Sequence, residues 1–139
     1  MRVYARMMSP CHCSKLRGAA RKVGSLYDEA LAPLGVNIAQ YSLMRTIARR
    51  QPVSFTALGH LAQLDRSTVS RNVRVLDRLG LVEMTRSDDD HREAAVSLSV
   101  RGAGLLDEAM PLWQACQQQI ETRLGADRLN ALDDILHAL

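Results

Sequence analysis

The stretch from Asp65 to Gly80, DRSTVSRNVRVLDRLG, constrains the fold of this chain more than any other. At 100° per residue, the rotation of an α-helix, Val69, Val73 and Leu76 fall on one narrow apolar face. Asp65 can accept hydrogen bonds from the first N–H groups, and Gly80 favours helix termination. The stretch is therefore predicted to be a helix with its apolar face in a core. The opposite face carries hydroxyl and guanidinium groups on Ser67, Arg71, Arg74 and Arg78.

The segments around this helix predict a winged helix-turn-helix. Upstream, Thr56–Gln63 is a short helical pattern joined to it with almost no linker, which is typical of a helix-turn-helix. Downstream, Leu81–Ser87 and Ala94–Val100 alternate apolar and polar residues around a polar loop, Asp88–Glu93, as in a β-hairpin. A short third strand is predicted over Val53–Phe55. If the helix over Asp65–Gly80 is considered alone, it could also be an ordinary surface helix without a binding function.

Charge is distributed unevenly along the 139 residues, although the formal net charge is only +3. Residues 1–27 contain six Lys/Arg and no acid, whereas residues 102–139 contain two Lys/Arg and six Asp/Glu. Residues 51–101 contain seven Lys/Arg and seven Asp/Glu. Any attraction of this segment for a polyanion must therefore come from one helix face and the wing. No signal or transmembrane pattern occurs, and three cysteines are too few for a disulfide scaffold. A cytoplasmic protein is predicted.

Two further helices are predicted on each side of the winged segment. The first runs from Cys13 or Ser14 to about Ala32, and the second ends at Arg50 after a cap at Asn37. A long helix from Gly102 to Leu124 is expected to bend at Pro111, and a last helix covers Asp127–Ala138. The predicted fold class is therefore mainly α with a small β-wing, in the order α-α-β-α-α-β-β-α-α.

The terminal helices hold more apolar surface than so small a winged domain could cover. This excess predicts a homodimer in which residues 10–35 and 102–139 pack on the partner. Burial of the same helices against their own winged domain is the alternative. The whole chain, 1–139, is predicted to be a single domain with a winged helix-turn-helix core over residues 36–101.

The run LGHLAQLDRSTVSRNVRVLDRLGLVEMTRSDDDHREAAVSLSVRG resembles the winged core of the MarR (multiple antibiotic resistance regulator) family. Its shared features are the leucines of the supporting helix, Ser-Thr-Val-Ser-Arg, Gly-Leu-Val, Asp-x-Arg at the wing tip and Ser-Leu-Ser-x-x-Gly. The resemblance implies a triangular homodimer that regulates transcription. We expect a repressor of a palindromic operator that is released by a small ligand or by thiol oxidation.

The exposed face of the basic helix is the part expected to enter a DNA major groove. Arg71 or Arg74 could contact guanine O6 and N7 with two hydrogen bonds, while the hydroxyl groups contact phosphate or adapt to bases. The resemblance further implies that Arg92 of the wing enters the minor groove, with Asp88 or Asp90 orienting its guanidinium. The predicted contacts on the helix are Arg66, Ser67, Thr68, Ser70, Arg71 and Arg74.

Three cysteines suggest a redox sensor. Cys11 and Cys13 precede a helix N-terminus and nearby cations, both of which favour thiolate. The segment CSKLRGAARKVGSLYDEALAPLG also resembles the organic-hydroperoxide-sensing branch, where Cys13 matches the peroxidatic cysteine and Tyr27 the tyrosine that hydrogen-bonds it. Other tyrosines of that branch are replaced here. Cys116 is a possible resolving thiol in an intersubunit disulfide. Structural cysteines are favoured over this redox role, because Cys116 lies on an apolar stripe, and a metal cluster is least favoured.

A pocket for a small aromatic or lipophilic effector is the other means of release that the resemblance implies. Its lining could include Tyr27, Tyr41, Met44 and Trp113, although each also fits an ordinary core. No cofactor or metal site is predicted. Two other function classes remain: a thiol peroxidase based on Cys13, and a winged helix that binds proteins rather than DNA. The first lacks an acid/base constellation, and the second predicts no salt-dependent DNA binding.

Overall fold

The computed structural model describes residues 10–87 and 90–139, with side chains for all of these except residues 86, 87 and 90–93. Most of the described chain is helical, with one small sheet, which confirms the predicted fold class. The elements in order are α1 (His12–Leu31), a 3-10 turn (Ala32–Leu34), α2 (Ile38–Arg50), β1 (Val53–Ser54), α3 (Phe55–Ala62), α4 (Arg66–Arg78), β2 (Val82–Ser87), β3 (Asp90–Leu98) and α5 (Val100–Ala138).

The wing is a three-stranded antiparallel sheet with β3 in the centre. On one side β2 pairs with β3, starting from Val82 opposite Leu98, and on the other β1 places Val53 opposite Val96. Val53, Val82 and Val96 are all buried, so one face of the sheet closes the core. The short third strand predicted over Val53–Phe55 is confirmed as β1, which ends one residue earlier because Phe55 begins α3.

Two hairpin boundaries differ from the sequence prediction. β3 begins at Asp90 rather than at Ala94, because the hydrogen bonds of the ladder join backbone groups and do not require apolar side chains. Val100, expected to end the strand, is instead the first residue of α5 and is 92% exposed. The reason is Ser99, whose Oγ accepts the Gly102 N–H at 3.0 Å and caps the helix.

Local caps determine where the helices of the winged core begin. The predicted cap at Asn37 is confirmed for α2, and Gln40 completes a reciprocal capping box, with both hydrogen bonds at 2.9 Å. Ser54 caps α3 by accepting the Ala57 N–H at 3.1 Å. These polar residues, together with Asp65 and Ser99, satisfy N–H groups that have no partner within their own helix. The apolar faces of α2, α3 and α4 then meet in one core.

The turn between α3 and α4 brings the two helices close together. Gly59 faces α4: a Cβ at this position would lie 3.0 Å from the Leu64 carbonyl oxygen and 3.5 Å from Val69. Gln63 closes α3 in the left-handed region, at φ 55°, and the Leu64 N–H donates to the Gly59 carbonyl at 2.9 Å. The supporting helix and the basic helix are therefore held in one fixed arrangement.

Replacing Gln63 by glycine should stabilise the protein. The left-handed conformation costs a residue with a Cβ about 1 kcal/mol, whereas glycine adopts it without steric penalty. Because glycine also loses more backbone entropy on folding, we expect a net gain of roughly 0.5 kcal/mol. Urea unfolding at fixed protomer concentration measures it. Gln63→Ala is the matched control and should give no gain; a lower midpoint for the glycine variant would contradict the prediction.

The long C-terminal span is where the helix count differs from the prediction. The two predicted helices form one span, Val100–Ala138, in which Gly125 has non-helical angles of φ 77° and ψ 164°. Gly125 therefore separates the segments expected as two helices, while Pro111 lies within the helical part before it. Glycine permits this break because it tolerates a positive φ. Among the residues described, no helix is both long and apolar enough to cross a membrane.

Candidate nucleic-acid interface

Helix α4 has one buried and one exposed face, as its sequence predicts. Val69, Val73 and Leu76 are fully buried at 0% exposure and anchor the helix in the core. The basic face lies outside: Arg66, Ser67, Arg71, Arg74 and Arg78 are exposed, and Thr68 and Ser70 are half-buried at its margin. The guanidinium-bearing surface is thus available to a ligand, and the core fixes its orientation.

The N-terminus of α4 is organised around Asp65. Its carboxylate accepts the Thr68 N–H at 3.0 Å and the Ser67 hydroxyl at 3.1 Å. Hydrogen bonds from Thr68, then from Ser67, hold the pKa of the Asp65 carboxyl below its ordinary value. Ser67 therefore presents acceptor lone pairs outward and must turn away from Asp65 to donate to a phosphate. The sequence did not reveal this requirement.

Two arginines of α4 contact their own helix. The Arg71 guanidinium donates to the Thr68 hydroxyl at 3.4 Å, which directs it toward the start of the helix. Arg78 Nε donates to the Arg74 carbonyl at 3.5 Å and stays exposed, in agreement with the expectation that it faces solvent. Both bonds are long and weak, so binding a phosphate or a base edge requires little rearrangement.

The predicted wing contacts cannot be compared with the structure. Asp88 lies outside the described residues, as do the side chains of Asp90 and Arg92. The backbone from Asp90 onward belongs to β3, which follows α4 through β2. Contacts of Arg92 and the acidic residues with DNA stay predictions.

Helix α3 contributes surface that the sequence reasoning missed. Thr56 and His60 are exposed and line a depression between α3 and α4 that also includes Asp65 and Arg66. The signal that could have located them is their spacing: residues i and i+4 share one helix face. Leu58, between them in sequence, points the other way and is fully buried. The exposed polar surface therefore continues from the start of α4 onto α3.

The thiols occupy different environments. Cys11 and Cys13 are exposed at the start of α1, and hydrogen bonds from Ser14 and then Cys13 N–H groups lower the pKa of the Cys11 thiol. Cys116 is 4% exposed, and burial raises the pKa of its thiol. The Tyr27 hydroxyl donates to Oε1 of Gln117, the residue that follows Cys116. Burial, and then the nearby Cys116 and Glu121, raise the pKa of Tyr27.

Three of the residues suggested for an effector pocket, Tyr41, Met44 and Trp113, lie on α2 and α5. Tyr41 and Met44 are almost fully buried at 1% and 0% exposure. The Tyr41 and Trp113 rings are 6.2 Å apart, and the Arg45 guanidinium lies 4.4 Å from the Trp113 ring centre. A ligand at this place would have to displace these contacts. Among the described residues, no cluster of His, Cys, Asp and Glu could hold a metal ion.

A helix-turn-helix with an exposed basic second helix, followed by a β-hairpin, defines a winged-helix DNA-binding protein. The sequence profile of the MarR family matches residues 34–93. The chain belongs to the MarR family, whose members are transcriptional regulators and not enzymes. The interpretation as a thiol peroxidase is therefore set aside.

Relatives support this assignment over most of the chain. The multiple antibiotic resistance protein MarR of Escherichia coli is 28% identical over 120 residues, which cover 84% of this chain and 81% of that protein. The organic hydroperoxide resistance transcriptional regulator of Bacillus subtilis is 24% identical over 100 residues, 72% of this chain and 68% of that protein. The M. tuberculosis transcriptional regulator MosR in complex with DNA has a TM-score of 0.81 and 30% identity, covering 91% and 93% of the two chains.

Proposed function

We propose that this transcriptional regulator is a homodimeric repressor that binds a palindromic operator through two copies of α4. The observation that carries the proposal is the exposed hydroxyl-and-guanidinium face of α4, held opposite three fully buried residues. A B-DNA major groove admits one helix, and a two-fold dimer would address half-sites about 10–10.5 base pairs apart. The similar MosR structure, which contains DNA, supports the same use of the fold.

Exposed apolar residues at the end of α5 support a dimer. Leu132, Ile135 and Leu136 are 45%, 41% and 68% exposed, although they recur at helical spacing. Leu16 of α1 is also 45% exposed. An apolar stripe of this kind is expected to be covered by another surface, and residues 130–139 are exposed throughout in the single chain. A second copy would cover both terminal regions.

We further propose that oxidation of an exposed thiol at the start of α1 releases the DNA. A thiolate there attacks the hydroperoxide, the O–O bond breaks, the alcohol leaves with a proton, and the sulfur becomes a sulfenic acid. Condensation with a second thiol forms a disulfide and releases water. Support comes from the exposure of Cys11 and Cys13, the lowered pKa of Cys11, and the similarity to the hydroperoxide resistance regulator.

Binding to the promoter of its own gene tests the proposal. We expect a gel shift with purified protein, loss of the shift on adding cumene hydroperoxide, and recovery with reductant. Cys13→Ser should bind DNA and resist release, while Cys116→Ser distinguishes a resolving thiol from a structural one. Release that persists in Cys13→Ser would exclude this residue. A cysteine-free variant that a lipophilic effector still releases would favour an effector site at the junction of α2 and α5 instead.

A further inference from the structure

The depression between α3 and α4 places a titratable group beside the predicted DNA contacts. His60 is exposed in the last turn of α3 and lines this depression together with Arg66, the first residue of α4. In a helix-turn-helix the first helix crosses the DNA backbone while the second enters the groove. His60 therefore lies on the element that meets phosphate, whereas Arg71 and Arg74 lie on the element that meets bases.

We propose that His60 is a proton-dependent phosphate contact, so that acidification tightens the hold of this regulator on DNA. The inference rests on the proposed function, because it requires α3 and α4 to face the duplex. Histidine is the side chain whose charge changes between about pH 5 and 8. As imidazolium it donates from both ring nitrogens and pairs with a phosphate oxygen through a charge-assisted hydrogen bond; as neutral imidazole it contributes no charge.

The other charged groups in the depression do not change their charge in the pH range in which histidine residues can do so. Its charged members besides His60 are Asp65 and Arg66; the rest are apolar residues, Gly59 and Thr56. The Asp65 carboxylate is occupied by Thr68 and Ser67, and its lowered pKa keeps it ionised through the range in which histidine titrates. Arginine as a residue type keeps its charge in proteins, so histidine is the member of this depression whose residue type can change charge between about pH 5 and 8.

Salt dependence identifies a phosphate contact directly. Each neutralised phosphate adds about 0.9 to the slope of log affinity against log salt. One additional contact therefore makes the loss of affinity between 50 and 200 mM salt about 3.5-fold larger. This increase should affect operator and random DNA alike, because phosphate contacts carry no sequence information.

The test is fluorescence anisotropy with labelled operator and random duplexes at pH 5.8 and 7.8 over this salt range, with reductant present. For the wild type we expect a slope steeper by about 0.9 at pH 5.8. His60→Gln should show the same slope at both pH values and match the wild type at pH 7.8. His137→Gln, in the last turn of α5, is the matched control and should keep the difference. Thermal unfolding at both pH values verifies that each variant is folded.

His91→Gln separates α3 from the wing, since His91 belongs to β3. A pH-dependent slope that survives in His60→Gln and disappears in His91→Gln overturns the inference and assigns the proton to the wing. An equal loss at both pH values in His60→Gln overturns it as well, because the contact would then be independent of charge. Absence of DNA binding at every pH overturns the proposed function, and with it this inference. Binding without any pH dependence of slope overturns the inference alone.

Discussion

Replacing Arg74 by alanine is expected to weaken operator binding about tenfold to a hundredfold while leaving the fold intact. A guanidinium that makes two hydrogen bonds to guanine O6 and N7 contributes about 1–3 kcal/mol of discrimination. Arg74 is exposed on α4 one residue after Val73, which is fully buried, so the core fixes its position on the helix without burying the side chain. Truncation therefore removes a contact without leaving a cavity.

Comparison of operator and random DNA distinguishes a base contact from a phosphate contact. Loss of a base contact reduces operator affinity far more than random affinity and leaves the salt slope nearly unchanged. Arg78→Ala is the matched control: Arg78 is also exposed on α4, but it is the last residue of the helix and donates to the Arg74 carbonyl. Equal weakening on both duplexes by Arg74→Ala, with a slope reduced by about 0.9, would show that Arg74 contacts only phosphate.

Replacing Gly102 by alanine is expected to destabilise the protein strongly. A Cβ there would lie 2.0 Å from the Leu81 carbonyl oxygen and 2.9 Å from the carbonyl carbon. That carbonyl cannot move freely, because it accepts the Ser99 N–H at 3.0 Å. We expect a loss of about 3 kcal/mol or more, since the clash is with backbone rather than with a flexible side chain.

Gly104 provides the control for this substitution. It lies two residues further along α5, is exposed, and has nothing within 4 Å of an added Cβ. Gly104→Ala should therefore stabilise the protein by about 0.5–1 kcal/mol through helix propensity. Urea midpoints at one protomer concentration compare the two variants. If Gly102→Ala were as stable as Gly104→Ala, the close approach of α5 to the start of β2 would be incorrect.

The sequence resolved the features that depend on neighbours along the chain. The apolar spacing of Val69, Val73 and Leu76 sufficed to predict the buried face of α4, because a helix repeats every 3.6 residues whatever surrounds it. Asn37 and Asp65 sufficed to predict two helix starts, since a cap bonds to an N–H three residues away. The family resemblance rested on the same local motifs.

Contacts between elements could be known only from the tertiary structure. The sequence identified Gly102 as part of the exit from the wing. It did not reveal that the Leu81 carbonyl lies so close to Gly102 that a Cβ has no room there. It left open whether Cys116 is a resolving thiol or a structural residue on an apolar stripe, whereas packing buries this thiol and leaves Cys11 and Cys13 exposed. It likewise did not place His60 beside Arg66, because the depression that the two residues share exists only after α3 and α4 have packed.

The sequence by itself therefore determined the helices of the winged core, the caps at Asn37 and Asp65 and the basic face of α4, because backbone geometry and nearby residues set these. The tertiary structure alone decided that Cys116 is buried, that Gly102 meets the Leu81 carbonyl and that His60 of α3 lies beside Arg66. These properties depend on residues distant in the chain being brought within a few ångströms of one another, and no periodicity of a single segment encodes that distance.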